Sequence, residues 1–178
     1  MAIIPDTKDW TWVLREPCPE CGFDTQSFTR TDVGAMIRAN AAAWVELLGS
    51  RPDVRRRPAP GTWSPLEYGC HVRDVFRLFA VRLDLMLTRD DPLFDNWDQD
   101  VTAVEERYDE QDPAVVAPDL ADAAARLADT FDDVRADQWE RTGNRSDGAR
   151  FTVESFARYL IHDPIHHLND AGPTESRS

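Results

Sequence analysis

The stretch Arg158-Tyr-Leu-Ile-His-Asp-Pro-Ile-His-His-Leu-Asn169 carries three of the chain's four histidines: His162, His166 and His167. The fourth, His71, lies far upstream in His71-Val-Arg-Asp74. His162 and His166 are spaced i, i+4, so a helix through this stretch presents them one turn apart on one face. Two imidazoles so placed can grip one divalent cation, and a third from a facing helix completes a three-nitrogen site. The plainer alternative is a set of core histidines, each satisfied by one hydrogen bond. A single histidine on an apolar face fits that alternative, but three in one short run fit it poorly. The spacing alone leaves both readings open; the working expectation is a metal site inside a helix bundle, for which His71, on a second helix, is the remaining histidine.

Working outward, the helix carrying this stretch begins after Thr152, which can cap it, and stops before Ala171-Gly172-Pro173. Pro164 sits inside it between the two expected ligands. Proline removes a backbone hydrogen bond and crowds the carbonyl of Leu160, and a bend there would aim His162 and His166 together. Ser64-Pro-Leu-Glu67 opens another helix with a capping box and a proline at the first position, and this helix runs through His71 to Thr88. His71 shares a face with Glu67, Asp74, Val75 and Leu78. Glu67 and Asp74 are expected to orient its imidazole from behind, although both are equally able to solvate the helix surface. A first helix is expected over Asp32–Gly49, capped by Thr31, and a third over Pro113–Arg135, with Pro118 at its start or at a kink. Between helices two and three, residues 89–111 are strongly acidic but include Trp97 and Tyr108. They are expected to form a long connection with a helical turn near Val101–Tyr108. Residues from Trp139 to Arg150, with Gly143, Asn144 and Ser146-Asp-Gly148, are expected to form a turn or short hairpin.

The N-terminal residues 1–29 read as an arm laid over the bundle of residues 30–172, with 173–178 as a disordered tail. Trp10, Trp12 and Leu14 alternate with polar neighbours and suggest an extended segment. Pro17-Cys-Pro-Glu-Cys-Gly22 is a knuckle-like turn. Cys18 and Cys21 can be free thiols in a structural turn, a redox pair, or half of a second metal site that a histidine completes. The βαβ setting that a thioredoxin-like motif requires is missing. Arg55, Arg56 and Arg57 form the one strong basic cluster, in a proline-rich loop. They balance a local acidic field or form an anion-binding lip over a pocket.

The net charge of -13 and the sequence pI of about 4.6 argue against binding nucleic acid or anionic membrane surfaces. No apolar run is long enough to span a bilayer. The first eight residues lack the basic and apolar regions of a signal peptide, and the odd count of 3 Cys has no framework spacing, so the expected location is cytoplasmic. Lys8 is the one lysine among 20 basic side chains, a bias typical of a high-GC genome.

A helix bearing His71 and Asp74, a long connection, and a last helix with His162-Asp-Pro-Ile-His166 together resemble the DinB-like superfamily. The resemblance spans residues 30–170 and omits the arm and its cysteine turn, while Pro164 departs from the family pattern. It implies an all-α four-helix bundle with a long crossover and one divalent metal on His71, His162 and His166. That metal is most readily zinc, with nickel, iron and manganese admitted by the ligands. The resemblance further implies thiol-dependent chemistry: an S-transferase activating a low-molecular-weight thiol, with mycothiol favoured by the composition, and attacking a small electrophile. Arg55, Arg56, Arg57 and Tyr159 are the candidate substrate-binding residues, and Asp74, Glu67 and Asp163 the candidate second layer around the ligands. A hydrolase using activated water, and a non-enzymatic metal-binding stress-response protein, are the rivals. The chain is expected to act as a monomer or homodimer.

Overall fold

The computed structural model describes residue 3 and residues 8–172; the expected C-terminal tail lies outside the described residues. Four long helices carry the core: α1 (Val33–Ser50), α2 (Pro65–Thr88), α4 (Pro113–Asp132) and α5 (Val153–Asp170). The short helix α3 (Gln99–Glu105) lies in the crossover between α2 and α4. Each long helix turns an apolar stripe inward: Ile37, Trp44 and Leu48 from α1, and Leu66, Val72, Phe76 and Leu83 from α2. Leu120, Leu127 and Phe131 come from α4, and Phe156 and Leu160 from α5. All of these side chains are buried, and removing such surface from water is the main force closing the bundle.

The expected helix signals are present with small shifts. Ser64 and Glu67 form the capping box at the head of α2. Thr152 caps α5 in a box with Ser155. Thr31 does not cap α1. Thr29 and Asp32 instead form a capping box around a short 3-10 turn, Arg30–Asp32, that feeds into α1. Pro118 lies within α4 rather than at its start.

Besides the helices there is a small three-stranded sheet in the order β1-β2-β3. β2 (Thr142–Arg145) and β3 (Arg150–Thr152) are the antiparallel hairpin expected before the last helix. β1 (Leu93–Phe94), from the acidic crossover, pairs parallel to β2. Gly143 permits this docking, because a Cβ there would come within 2.7 Å of Met86 and 2.9 Å of Phe94.

The N-terminal arm is not extended. Residues Trp10–Leu14 form a 3-10 helix, started by Asp9, whose carboxylate accepts from the Thr11 amide. The alternation of Trp10, Trp12 and Leu14 with polar neighbours suggests an extended segment, but this local cap and the burial of Val13 favour the helical turn. Thr25 donates to the carbonyl of Val13 (2.6 Å), and Arg158 of α5 donates to the carbonyls of Thr25 and Phe28. The arm is thus tied to the last helix by hydrogen bonds as well as by packing.

Glu67 is 3% exposed and paired with Arg57, whose side chain is 29% exposed. Burial works to raise its carboxyl, but bonds from Arg57 and Ser64 outweigh this and hold it below 4.5. A depressed carboxyl adds stability above its unfolded pKa and loses it as pH falls through the folded value. Arg57→Met should therefore destabilise the protein by about 2 kcal/mol near neutral pH, less than a fully buried broken pair would cost, because Arg57 is partly solvated. Urea unfolding of both proteins should show the gap narrowing as the pH is taken below 4.5.

Candidate metal centre

The site is governed by the rotation of α5. Each residue advances a helix by 100°, so His162 and His166 share one direction while Asp163 and His167 share another. The interior fixes that rotation. The carbonyl of Pro164 accepts from Asn40 Nδ2 (3.1 Å) and Trp44 Nε1 (3.2 Å), both on α1. The helix is continuous through Pro164, and the His162 and His166 rings lie 5.1 Å apart.

The expected trio of His71, His162 and His166 does not share a site. His71 instead meets Asp163 and His167, with ligand atoms all within 4.8 Å of one another. His71 Nε2 is 3.3 Å from Asp163 Oδ1, and His167 Nε2 is 3.8 Å from Asp163 Oδ2. Atoms bound to one cation at about 2.1 Å lie about 3.0 to 3.4 Å apart; the His71–Asp163 distance falls in that range, and His167 would have to move inward to share an ion with them. His71 Nδ1 is buried without a hydrogen-bond partner among the described residues. Burial tends to raise the Asp163 carboxyl, but His71 and His167 beside it prevail and hold it well below the carboxylate range. His167 Nδ1 faces Asp170 Oδ2 at 3.1 Å, an outer carboxylate that orients the ring and leaves Nε2 toward Asp163.

Aromatic rings wall this cluster. Trp97 stacks on His71 with centroids 5.3 Å apart and planes at 4°, Tyr68 stacks on His167 at 4.9 Å, and Trp63 lies 5.3 Å from His71. Neither expected outer partner of His71 reaches it. Glu67 is taken up by the helix cap and Arg57. Asp74 is held by Arg73 and by the Tyr108 hydroxyl, which donates to it at 2.6 Å. Asp163, expected as an outer residue, lies at the centre.

His162 and His166 face the N-terminal turn and form a separate cluster with Cys18 and Cys21. Burial, followed by the neighbouring His166, pushes His162 down to about 4. Burial also lowers His166, against the pull of Asp170.

Beside Asp163 opens a cavity of about 400 Å³, lined in part by Phe79, Arg82, Trp97, Arg145 and Tyr159. Tyr159, a candidate substrate-binding residue, is among the lining residues, with its hydroxyl 3.2 Å from Arg145 Nη1. Arg55, Arg56 and Arg57 do not line this cavity. Arg57 is bound to Glu67, Arg56 to Asp53, and Arg55 is exposed. Lys8, Arg82 and Arg145 line it together with Asp9, Asp98, Asp100, Asp147 and Asp163, and of the three cations Arg82 and Arg145 are largely buried. Arg82 is pushed down to about 10, first by burial and then by Arg145. Arg145 is raised despite its burial by Asp147, 2.8 Å away, and by Tyr159. Nothing local in the sequence marks either arginine, because they come from α2 and β2 and converge only in the fold.

These features define a helical-bundle protein with a histidine–carboxylate centre beside a polar cavity that holds two buried arginines. The chain belongs to the DinB superfamily, whose family model matches residues 28–171. Among solved structures it is similar to YfiT from Bacillus subtilis, described as a probable metal-dependent hydrolase with an unusual four-helix bundle topology. The two share 16% sequence identity with a TM-score of 0.72, over 81% of this chain and 86% of that one. No curated protein matches the sequence. No helix among the described residues is long and apolar enough to cross a membrane.

The two clusters predict opposite behaviour for two neighbouring histidines. Cobalt bound at the centre by His71 should lose affinity in His167→Ala by more than the roughly 10–100-fold typical of a lost outer contact. His162→Ala should leave that binding unchanged. Cobalt titration followed by quenching of tryptophan emission measures both.

Proposed function

We propose that the chain is a metal-dependent enzyme whose centre is His71, Asp163 and His167, and that its reaction is hydrolysis of a small substrate carrying an anionic group. The carrying observation is the convergence of two imidazoles and one carboxylate, from α2 and α5, with the carboxylate, Asp163, lining a cavity. Two neutral nitrogens and one anionic oxygen suit a hard or borderline divalent ion, zinc foremost, with nickel, iron and manganese also accommodated. Three protein ligands leave coordination positions open, and an ion held there supplies Lewis acidity to water or a substrate carbonyl.

The remaining work falls to side chains. Asp170 holds the His167 ring in the orientation that directs Nε2 inward. Trp97, Trp63 and Tyr68 exclude bulk water around the imidazoles. Arg82 and Arg145 place positive charge in the cavity, where charge-assisted hydrogen bonds fix a carboxylate or phosphate. The Tyr159 hydroxyl is positioned by Arg145 to join them.

The cavity volume favours hydrolysis over thiol transfer. About 400 Å³ lies near the lower end of small-molecule sites and takes one compact ligand. A bulky thiol such as mycothiol together with an electrophile would need more room. The hydrolase description of YfiT supports the same choice.

The test is turnover of a panel of small amides and esters, with and without a carboxylate, by protein loaded with zinc, nickel or manganese. Metal-dependent hydrolysis without added thiol is expected, and His71→Ala should abolish it. Turnover that requires mycothiol or another low-molecular-weight thiol would replace hydrolysis by S-transfer. Arg82→Gln should raise KM for carboxylate substrates by roughly 10–100-fold, the equivalent of one charged hydrogen bond of about 1.5–3 kcal/mol. It should change kcat less, and leave neutral analogues nearly unaffected.

A further inference from the structure

We infer that Cys18, Cys21, His162 and His166 form a second, structural zinc site that clamps the N-terminal arm to α5. This site shares no ligand with the proposed reaction centre and stands independently of it.

Both halves of the site are preformed. Cys18-Pro19-Glu20-Cys21-Gly22 is a tight turn, closed by the Gly22 amide donating to the Cys18 carbonyl (2.7 Å) and the Cys18 amide donating to the Phe23 carbonyl (2.9 Å). Gly22 has a φ of +75°, which a side chain would strain, and this lets the chain double back with both sulfurs on one side. The other half is the i, i+4 pair His162 and His166. The four ligand atoms lie within 4.8 Å of one another.

One edge of the cluster has the length a tetrahedral zinc site requires. With Zn–S near 2.3 Å and Zn–N near 2.05 Å, the sulfur–nitrogen edge is about 3.6 Å. Cys18 Sγ stands 3.7 Å from His166 Nδ1. The opposite nitrogen, His166 Nε2, faces carboxylates on Asp170 (3.5 Å) and Glu20 (3.6 Å), as the outer acceptors of a metal-bound imidazole do. His162 Nε2 is buried with no hydrogen-bond partner among the described residues, although His162 as a whole is only 4% exposed. Buried polar atoms are rarely left unpaired, and a metal bond accounts for this one. Trp10 covers the cluster, with its ring centroid 5.4 Å from His162 and 4.9 Å from His166.

The donor set selects the ion and the role. Two thiolates with two imidazoles favour zinc. Two thiolates cancel the charge of the ion, so the buried complex is neutral. Four protein ligands leave no open position, which marks a structural site. The ligands come from segments 148 residues apart, so the ion would fasten the arm over the bundle. The arm is also part of the reaction cavity, since Trp10 lines it.

The test uses the full-length protein, purified under reducing conditions. Zinc analysis should find one tightly held equivalent that His71→Ala retains and that the double variant Cys18→Ser/Cys21→Ser loses. Cobalt replacing that zinc should give a thiolate-to-metal charge-transfer band and intense tetrahedral bands in the visible, present in His71→Ala and absent in the double variant. On chelation, limited proteolysis of wild type should cut within the arm while the bundle stays intact, and added zinc should restore protection. The proposal is overturned if reduced, folded wild type shows no thiolate–cobalt band, or if the band persists in the double variant. It is equally overturned if Cys18 and Cys21 form a disulfide and the folded protein takes up no zinc on reduction. If the double variant fails to fold, the wild-type cobalt spectrum and the chelation experiment still decide.

Discussion

The rotational setting of one helix is the constraint on which the rest depends. α5 presents two i, i+4 pairs offset by a single residue, so they leave the helix about 100° apart and enter different surroundings. Turning α5 by one residue would carry Asp163 and His167 toward the cysteine turn and take both from His71. Several unrelated contacts oppose such a turn. Val153, Phe156 and Leu160 are buried against the other helices. The Pro164 carbonyl receives two donors from α1, and Arg158 holds the loop at Thr25 and Phe28. Core packing is discrete, so these contacts select one register rather than a compromise between two.

The acidic crossover supplies a second kind of order. Its charge suggests a solvated connection, and much of it is exposed. Yet it contributes two aromatic posts. Tyr108 is fully buried and donates to Asp74, which also pairs with Arg73. Trp97 lies flat against His71, with its indole nitrogen donating to Thr102 at 2.7 Å. The net charge of -13 repels anions at long range, but screening by salt limits that field to about 8 Å. Inside the cavity the nearest charges prevail, and those include the buried Arg82 and Arg145 as well as several aspartates.

Much of the fold is legible along the chain because its signals are local. The Ser64–Glu67 box, the Thr152 cap, the Gly172 stop and the hairpin glycines each act within a few residues, and the elements follow them closely. The site is less legible because it depends on phase and on distance. His162 and His166 attract attention as matching imidazoles, while Asp163 and His167 have the same spacing in mixed chemistry. The apolar stripe of α5 does not choose between them, since Ile161, His162, Pro164 and His166 are all buried. The 3-10 turn of the arm is not legible, because two tryptophans alternate with polar residues over too short a span to separate the two periods. One usable signal did lie in the sequence. Cys18-x-x-Cys21 lacks two ligands, and His162-x-x-x-His166 supplies two.

Ligand count separates the two clusters on α5 in kind. A set of four protein donors surrounds an ion and leaves it chemically idle, whereas a set of three leaves a face for substrate. The closed set sits between the arm and α5, where a clamp has mechanical effect, and the open set reaches the cavity through Asp163. Asp170 lies between them, within 3.5 Å of a nitrogen on His166 and 3.1 Å of one on His167. Trp10 is the second link, packed against His162 and His166 and also lining the cavity. A change at the clamp would therefore reach the cavity through one carboxylate and one indole, without any rearrangement of the helices.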